Sequence, residues 1–271
     1  IMPSLVGSEM CIRDRFSTIP NLLGPLIAVG IWHVENMSIF AIVMIFIAVT
    51  TTLFGYRTTF ANTQKEVSPK DEVLPFNAMT VYVQFFKNKA LFCSGMIMIL
   101  SSIVFGAMST FIPLYTVREG FANAGIFLTI QAITVVIARF YLRKYVPSDG
   151  LWHHRFMMIV LTLLMVASVI VAFGPHIVSI FVYISAIFIG ITQALVYPTL
   201  TTYLSFVLPK IGRNMLLGLF IACADLGISL GGVLMGPISD TVGFKWMYIL
   251  CALLVTCLLY TSDAADERSS V

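Results

Sequence analysis

One acidic residue, Asp225, lies near the middle of the apolar stretch Asn214–Pro237. A helix of about 20 residues crosses the hydrocarbon core of a bilayer, so this stretch is long enough to span one. A carboxylate inside a span costs at least about 2.5 kcal/mol on insertion scales and normally faces a polar interior. Asp225 is therefore a candidate coupling residue, which would exchange a proton or contact a substrate. The alternative is an acid that neighbouring helices hold by hydrogen bonds, with a role in packing alone.

Helical spacing predicts two lines of small or polar residues on this span. The line on the side of the acid comprises Asp225, Ser229, Gly232 and Gly236. The second line comprises Cys223, Gly227 and Gly231. Small residues at four-residue spacing let helix backbones approach closely in lipid. The span is thus predicted to have one closely packed side and one polar side.

Other spans carry residues of similar character, and two interpretations remain open for each. They line a substrate cavity, or they form packing seams and hydrogen bonds between helices. The substrate-cavity candidates are Ser102, Ser109, Tyr115, Gln131, Gln193, Tyr197 and Ser229. The candidates for helix packing or gating are Gly24, Pro25, Gly30, Pro113, Gly231, Gly232 and Gly236. Proline within a span is expected to permit a bend.

The composition indicates a multi-pass membrane protein. The 271 residues are 59% hydrophobic and 11% charged, whereas soluble domains are about 25% charged. The net charge of +3 is too small to suggest a nucleic-acid partner. The five cysteines form no CxxC pair, and no metal spacing, phosphate loop or nucleophile–base pair is visible. We therefore expect no metal, no cofactor and no enzymatic activity.

Eight spans are predicted from apolar runs of sufficient length. They are Phe16–Trp32, Met37–Tyr56, Ala90–Tyr115, Phe121–Leu142, Arg155–Phe173, Ile177–Pro198, Asn214–Pro237 and Phe244–Tyr260. One long polar connection separates the second span from the third. If that connection is cytoplasmic, eleven Lys and Arg residues lie on the cytoplasmic side and only Arg118 and Lys245 on the other. This asymmetry predicts the orientation in the plasma membrane.

The spans alternate in character. Three spans are almost entirely apolar, and we call them plain spans: Met37–Tyr56, Arg155–Phe173 and Phe244–Tyr260. The other five carry Gly, Pro, Ser, Asn or Gln within the membrane. A plain span in every third position predicts a three-helix repeat with a peripheral third member. The first repeat is one helix short, and both ends resemble adapter read-through. We therefore expect an N-terminally truncated fragment. Its predicted parts are a non-native segment at 1–15, two helices of an N-terminal bundle at 16–57, a cytoplasmic linker at 58–88, a six-helix bundle at 89–257 and a non-native segment at 258–271.

Three segments give the chain a resemblance to the drug-exporter-like branch of the major facilitator superfamily. Gly24–Gly30 looks like the glycine-proline signature of helix five, and Ser109–Phe121 is similar to the outer end of helix seven. Ala224–Gly243 is similar to helix eleven, including the acid. The loop Ala138–Arg155 departs from the glycine–aspartate–arginine pattern of many members. The resemblance implies an all-α membrane fold in which the eight spans are helices 5–12.

The resemblance also implies a secondary active transporter that works by alternating access. The leading expectation is proton-coupled efflux of a small, partly apolar molecule. The alternatives are an uptake symporter for a nutrient and a non-transporting sensor or scaffold. The expected partners are a small-molecule substrate, protons, the lipid bilayer and the missing N-terminal helices. Without those helices, Asp225 is expected to be more exposed, or differently paired, than in the complete protein.

Overall fold

The structure of the chain is a computed structural model. It describes residues 37–57, 83, 85–147, 149–177, 179–209 and 213–267. The predicted first span, with Gly24, Pro25 and Gly30, lies outside these residues. So do residues 1–15 and most of the predicted linker at 58–88.

The described residues form seven α-helices and one short 3-10 helix. The α-helices are α1 Met37–Arg57, α2 Lys89–Glu119, α3 Ala124–Tyr141, α4 His154–Ile177, α5 Ile180–Val207, α6 Arg213–Val242 and α7 Phe244–Glu267, and the 3-10 helix is Leu142–Tyr145. Each of the seven α-helices coincides with one of the predicted spans. Five of them, α2 to α6, are long and apolar enough to cross a membrane, and the apolar parts of α1 and α7 are shorter. The prediction of an all-α membrane fold is confirmed.

Local side chains explain where the helices begin and end. The Asn88 side-chain oxygen accepts hydrogen bonds from the first backbone N–H groups of α2, and Asn123 does the same for α3. Such caps pair donors that lack a partner inside the helix. Gly120 and Gly243 end α2 and α6 with φ of 68° and 89°. Only glycine adopts this left-handed conformation without steric cost, which permits the abrupt turn between helices.

The prediction that a span ends at Pro198 is wrong, because α5 continues through this residue to Val207. Proline removes only one backbone donor, here the one that would pair with the Ala194 carbonyl, and membrane helices tolerate such a loss. Thr199 donates to the Leu195 carbonyl and Thr201 to the Tyr197 carbonyl, both at 2.7 Å, so neither hydroxyl replaces the missing donor. Pro113 and Pro237 also lie inside helices. At the other end of the chain, α7 runs to Glu267, past the predicted boundary at 257.

The helices pack in pairs. Helix α2 packs chiefly on α6, α3 on α5, and α4 on both α5 and α7. The two plain helices α4 and α7 are therefore partners. However, 44% of the residues in the apolar stretch of α4 are buried, against 28% in α3 and 39% in α6. The polar-rich helices α3 and α6 are the more exposed, because each has a face that no other described helix covers.

Helices α2 and α6 cross with their backbones close together, and glycine makes this approach possible. A Cβ atom on Gly231 would clash with the Ile103 carbonyl and lie 2.9 Å from the Ala107 nitrogen. A Cβ on Gly227 would lie 2.5 Å from the Ile99 carbonyl oxygen. Gly106 of α2 meets the α6 backbone at Ile228 in the same way. The two backbones are thus in direct contact.

We predict that Gly231→Val destabilises the complete protein, by about 1–3 kcal/mol or more, because the added side chain must push two backbones apart. Thermal melting of the purified protein in detergent measures the effect. Gly232→Val is the matched control, since a Cβ there meets nothing closer than the Thr110 hydroxyl at 3.9 Å. Equal losses for the two variants would contradict the prediction.

Candidate functional site

Helix α6 has a packed side and an open side, and they follow the two lines of residues. Cys223, Gly227 and Gly231 are buried against α2. Asp225 and Ser229 are exposed, and Gly232 and Gly236 are half-buried. Because a helix repeats every 3.6 residues, the two lines fall on different sides of one cylinder. The close packing of one line therefore fixes the direction in which the other faces.

Asp225 lies about midway along the 30-residue helix α6. Its side chain is exposed, and it forms no ion pair with any residue that the structure describes. A carboxylate at this depth in a bilayer requires water or a polar partner. The open face of α6 is thus a surface that lipid does not suit.

The candidate residues on α2 differ in how far they are buried. Ser102 is buried at the α6 crossing, and a Cβ on Gly227 would lie 2.6 Å from the Ser102 Cβ atom. Ser109, two turns further along, is exposed and donates to the Gly106 carbonyl at 3.1 Å. Pro113 is half-buried. The structure thus places Ser102 in a helix contact and Ser109 on the open face.

Tyr115 lies inside an aromatic cluster where the C-terminal end of α2 meets the N-terminal end of α7. Its ring centroid is 4.7 Å from that of Phe121, 5.0 Å from that of Phe244 and 5.8 Å from that of Tyr248. Tyr115 is only 3% exposed, so its ring packs between helices and does not face an open space. Sequence reasoning identified Tyr115 but missed Phe244 and Tyr248. An aromatic pair at i, i+4 at the start of α7 is the signal that could have found them.

Gln131 and Gln193 form a polar pair between α3 and α5. The Gln131 side-chain NH₂ group donates to the Gln193 side-chain oxygen at 3.1 Å. Gly190 makes this contact possible, since a Cβ there would lie 2.9 Å from the Gln131 backbone oxygen. The side-chain oxygen of Gln131 is buried without a hydrogen-bond partner among the described residues. The pair therefore retains an unused acceptor.

Tyr197 lies one turn beyond Gln193 on α5 and is half-buried, with its ring 6.3 Å from that of Phe220 on α6. The candidates thus separate into three places. Asp225, Ser229 and Ser109 belong to open faces, the two glutamines to the α3–α5 contact, and Ser102 and Tyr115 to packed interiors. The described residues contain no group of His, Cys, Asp or Glu that could hold a metal ion.

A family model described as "Major Facilitator Superfamily" matches residues 16–232 and 148–264. The chain belongs to this superfamily. Its helix pairs α2–α6, α3–α5 and α4–α7 thus belong to a multi-pass plasma-membrane transporter fold. The family is one of transporters, which supports a non-enzymatic role.

Individual members of the superfamily are similar to this chain to different degrees. The staphylopine export protein of Staphylococcus aureus is 71% identical over 251 residues, which is 93% of this chain and 63% of that protein. An uncharacterized MFS-type transporter of Burkholderia mallei is 23% identical over 176 residues, or 65% of this chain and 42% of its own length. One from Burkholderia pseudomallei matches equally. The chain thus spans less than two thirds of these curated relatives.

We predict that the Gln131–Gln193 hydrogen bond contributes about 0.6 kcal/mol, the average for polar pairs between membrane helices. A double-mutant cycle with Gln131→Leu and Gln193→Leu measures this coupling by thermal or denaturant unfolding of the complete protein. A second cycle joins Gln193→Leu with Thr256→Val, whose hydroxyl bonds within α7 to the Ala252 carbonyl. This control pair should be additive. Additivity in the glutamine cycle as well would show that the pair does not interact.

Proposed function

We propose that the complete protein is a secondary active exporter whose substrate is staphylopine or a molecule closely similar to it. The observation that carries this proposal is the 71% identity to the staphylopine export protein over 93% of the chain. About seven in ten of the aligned positions carry the same residue in both chains, which supports a substrate of the same class. Export, the substrate and the coupling ion concern the whole protein, and each is open to a direct test.

The open faces of the described helices support a transport pathway. Asp225 and Ser229 on α6 and Ser109 and Thr110 on α2 are exposed although they lie within membrane spans. Polar groups at such depth are costly against lipid and occur where a span lines a cavity. In the proposed mechanism, the missing N-terminal helices face these residues across the cavity. The two halves then rock about a central substrate site.

Proton coupling through Asp225 is the finer part of the proposal. A carboxyl group that is alternately open to the two sides of a membrane can take up a proton on one side and release it on the other. The exposed position of Asp225 on a fixed helix face supports this role. The alternative role in packing has less support, because Asp225 forms no ion pair with a described residue and the packed side of α6 is formed by Cys223, Gly227 and Gly231.

The proposal also divides the chain into parts of two helix bundles. Residues 16–57 would be the last two helices of an N-terminal bundle, 58–88 a cytoplasmic linker, and 89–257 the C-terminal bundle. Most residues of α1 for which exposure is described are exposed, and no other described helix packs extensively on it. A helix of an absent bundle would have this environment. Gly24, Pro25 and Gly30 would belong to that bundle.

Substrate and direction are tested with the complete protein in inside-out membrane vesicles that are given an inward-acid pH gradient. We predict that staphylopine accumulates in these vesicles and that collapsing the gradient with a protonophore stops accumulation. Vesicles without the protein are the control. Accumulation only in right-side-out vesicles would indicate uptake. Absence of flux in both orientations would favour a sensor or scaffold.

We predict that Asp225→Asn reduces gradient-driven accumulation by tenfold or more, while exchange of labelled for unlabelled staphylopine without a gradient continues. An asparagine keeps the size of the side chain and hydrogen bonds but cannot carry a proton. Asp240→Asn is the matched control, because Asp240 is also exposed on α6 but lies near its outer end. If Asp225→Asn leaves gradient-driven accumulation unchanged, Asp225 is not the coupling residue.

A further inference from the structure

A groove runs between the plain helices α4 and α7, which carry none of the candidate transport residues. Its volume is 230 Å³, and its lining residues are Met165, Val169, Phe173, Ile249, Ala252, Leu253 and Thr256. The lining residues of α4 are four positions apart, and those of α7 are three or four positions apart. Each helix therefore contributes one of its faces to the groove. The Thr256 hydroxyl donates to the Ala252 carbonyl within α7, which leaves the inner end of the groove apolar.

One basic residue stands at the outer end of this groove. Lys245 lies one turn before Ile249 on the same face of α7, and its ammonium group is 4.8 Å from the centroid of the Phe173 ring. This contact holds the cation over the rim of the groove. Lys245 forms no ion pair with any residue in the described part of the chain. Its charge is therefore available to an anion.

The dimensions of the groove match one leaflet of a membrane. From Lys245 to Thr256, α7 rises about 16 Å, roughly half of the 30 Å hydrocarbon core. Val169, Phe173 and Leu253 on its lining are exposed, so the groove opens outward from the bundle. Trp246, beside the lysine, is also exposed. Exposed tryptophan next to a cation is typical of the membrane–water interface.

We propose that this groove binds one anionic phospholipid of the outer leaflet, with the phosphate at Lys245 and an acyl chain between α4 and α7. The charge selects this occupant. A neutral apolar molecule would fill the groove but would bring no anion to the rim cation. The site is separate from the open face of α6 and does not depend on the proposed export function.

The test uses the complete protein, purified and delipidated in detergent, with binding of phosphatidylglycerol and phosphatidylcholine followed by native mass spectrometry. We expect phosphatidylglycerol to bind more tightly than phosphatidylcholine, and Lys245→Gln to weaken it about fivefold. Arg118→Gln is the matched control, because Arg118 is the other outer basic residue and lies over the ring of Phe244 at 5.9 Å. It should leave binding unchanged.

A second pair of variants tests the apolar part of the site. Val169→Trp fills the groove and should weaken phosphatidylglycerol binding, whereas Ile159→Trp, on an exposed position of α4 outside the lining, should not. Equal binding of the two lipids by the wild type would overturn the proposal. So would equal effects of Lys245→Gln and Arg118→Gln, or dimerisation that Val169→Trp abolishes while phosphatidylglycerol has no effect.

Discussion

The direct backbone contact between α2 and α6 is the constraint on which the arrangement of the bundle depends. Helices in lipid gain no hydrophobic driving force from meeting one another, so close van der Waals packing has to hold them. Gly106, Gly227 and Gly231 remove the side chains that would keep the two backbones apart. The contact fixes the rotation of α6 about its own axis. Every other residue of α6 takes its direction from that rotation.

As a consequence, different sides of α6 serve packing and carry the exposed polar residues. The small residues of α6 are used for packing, and the acid and serine on another side are left open. A similar division occurs between α3 and α5, where Gly190 lets the backbones approach and Gln193 then reaches Gln131. In both pairs, glycine determines which polar groups meet one another and which remain available to a ligand. Packing and the proposed transport pathway thus use different faces of the same helices.

The plain helices have a different relation to the membrane. Helices α4 and α7 carry few polar groups, pack on each other and present a groove to the surroundings instead of a polar face. The repeat of plain spans predicts a peripheral position for both, but α4 packs on two helices and is more buried than α3 or α6. The greater exposure of α3 and α6 was not predicted from that repeat, because burial depends on which of their faces the other described helices cover.

Much of the fold follows from the sequence alone. Apolar runs long enough to cross a bilayer predicted all seven α-helices of the described residues. The spacing of Asp225, Ser229 and the glycines predicted the two lines of residues on α6, because residue spacing alone determines which side of a helix a residue lies on. The end of α5 was mispredicted at Pro198, because a single proline costs a membrane helix one backbone hydrogen bond and does not have to end it. Only the tertiary structure decided that Ser102 and Tyr115 are packed between helices while Ser109 is open. A residue's type and spacing determine which face it shares, but the position of the neighbouring helix determines whether that face is covered.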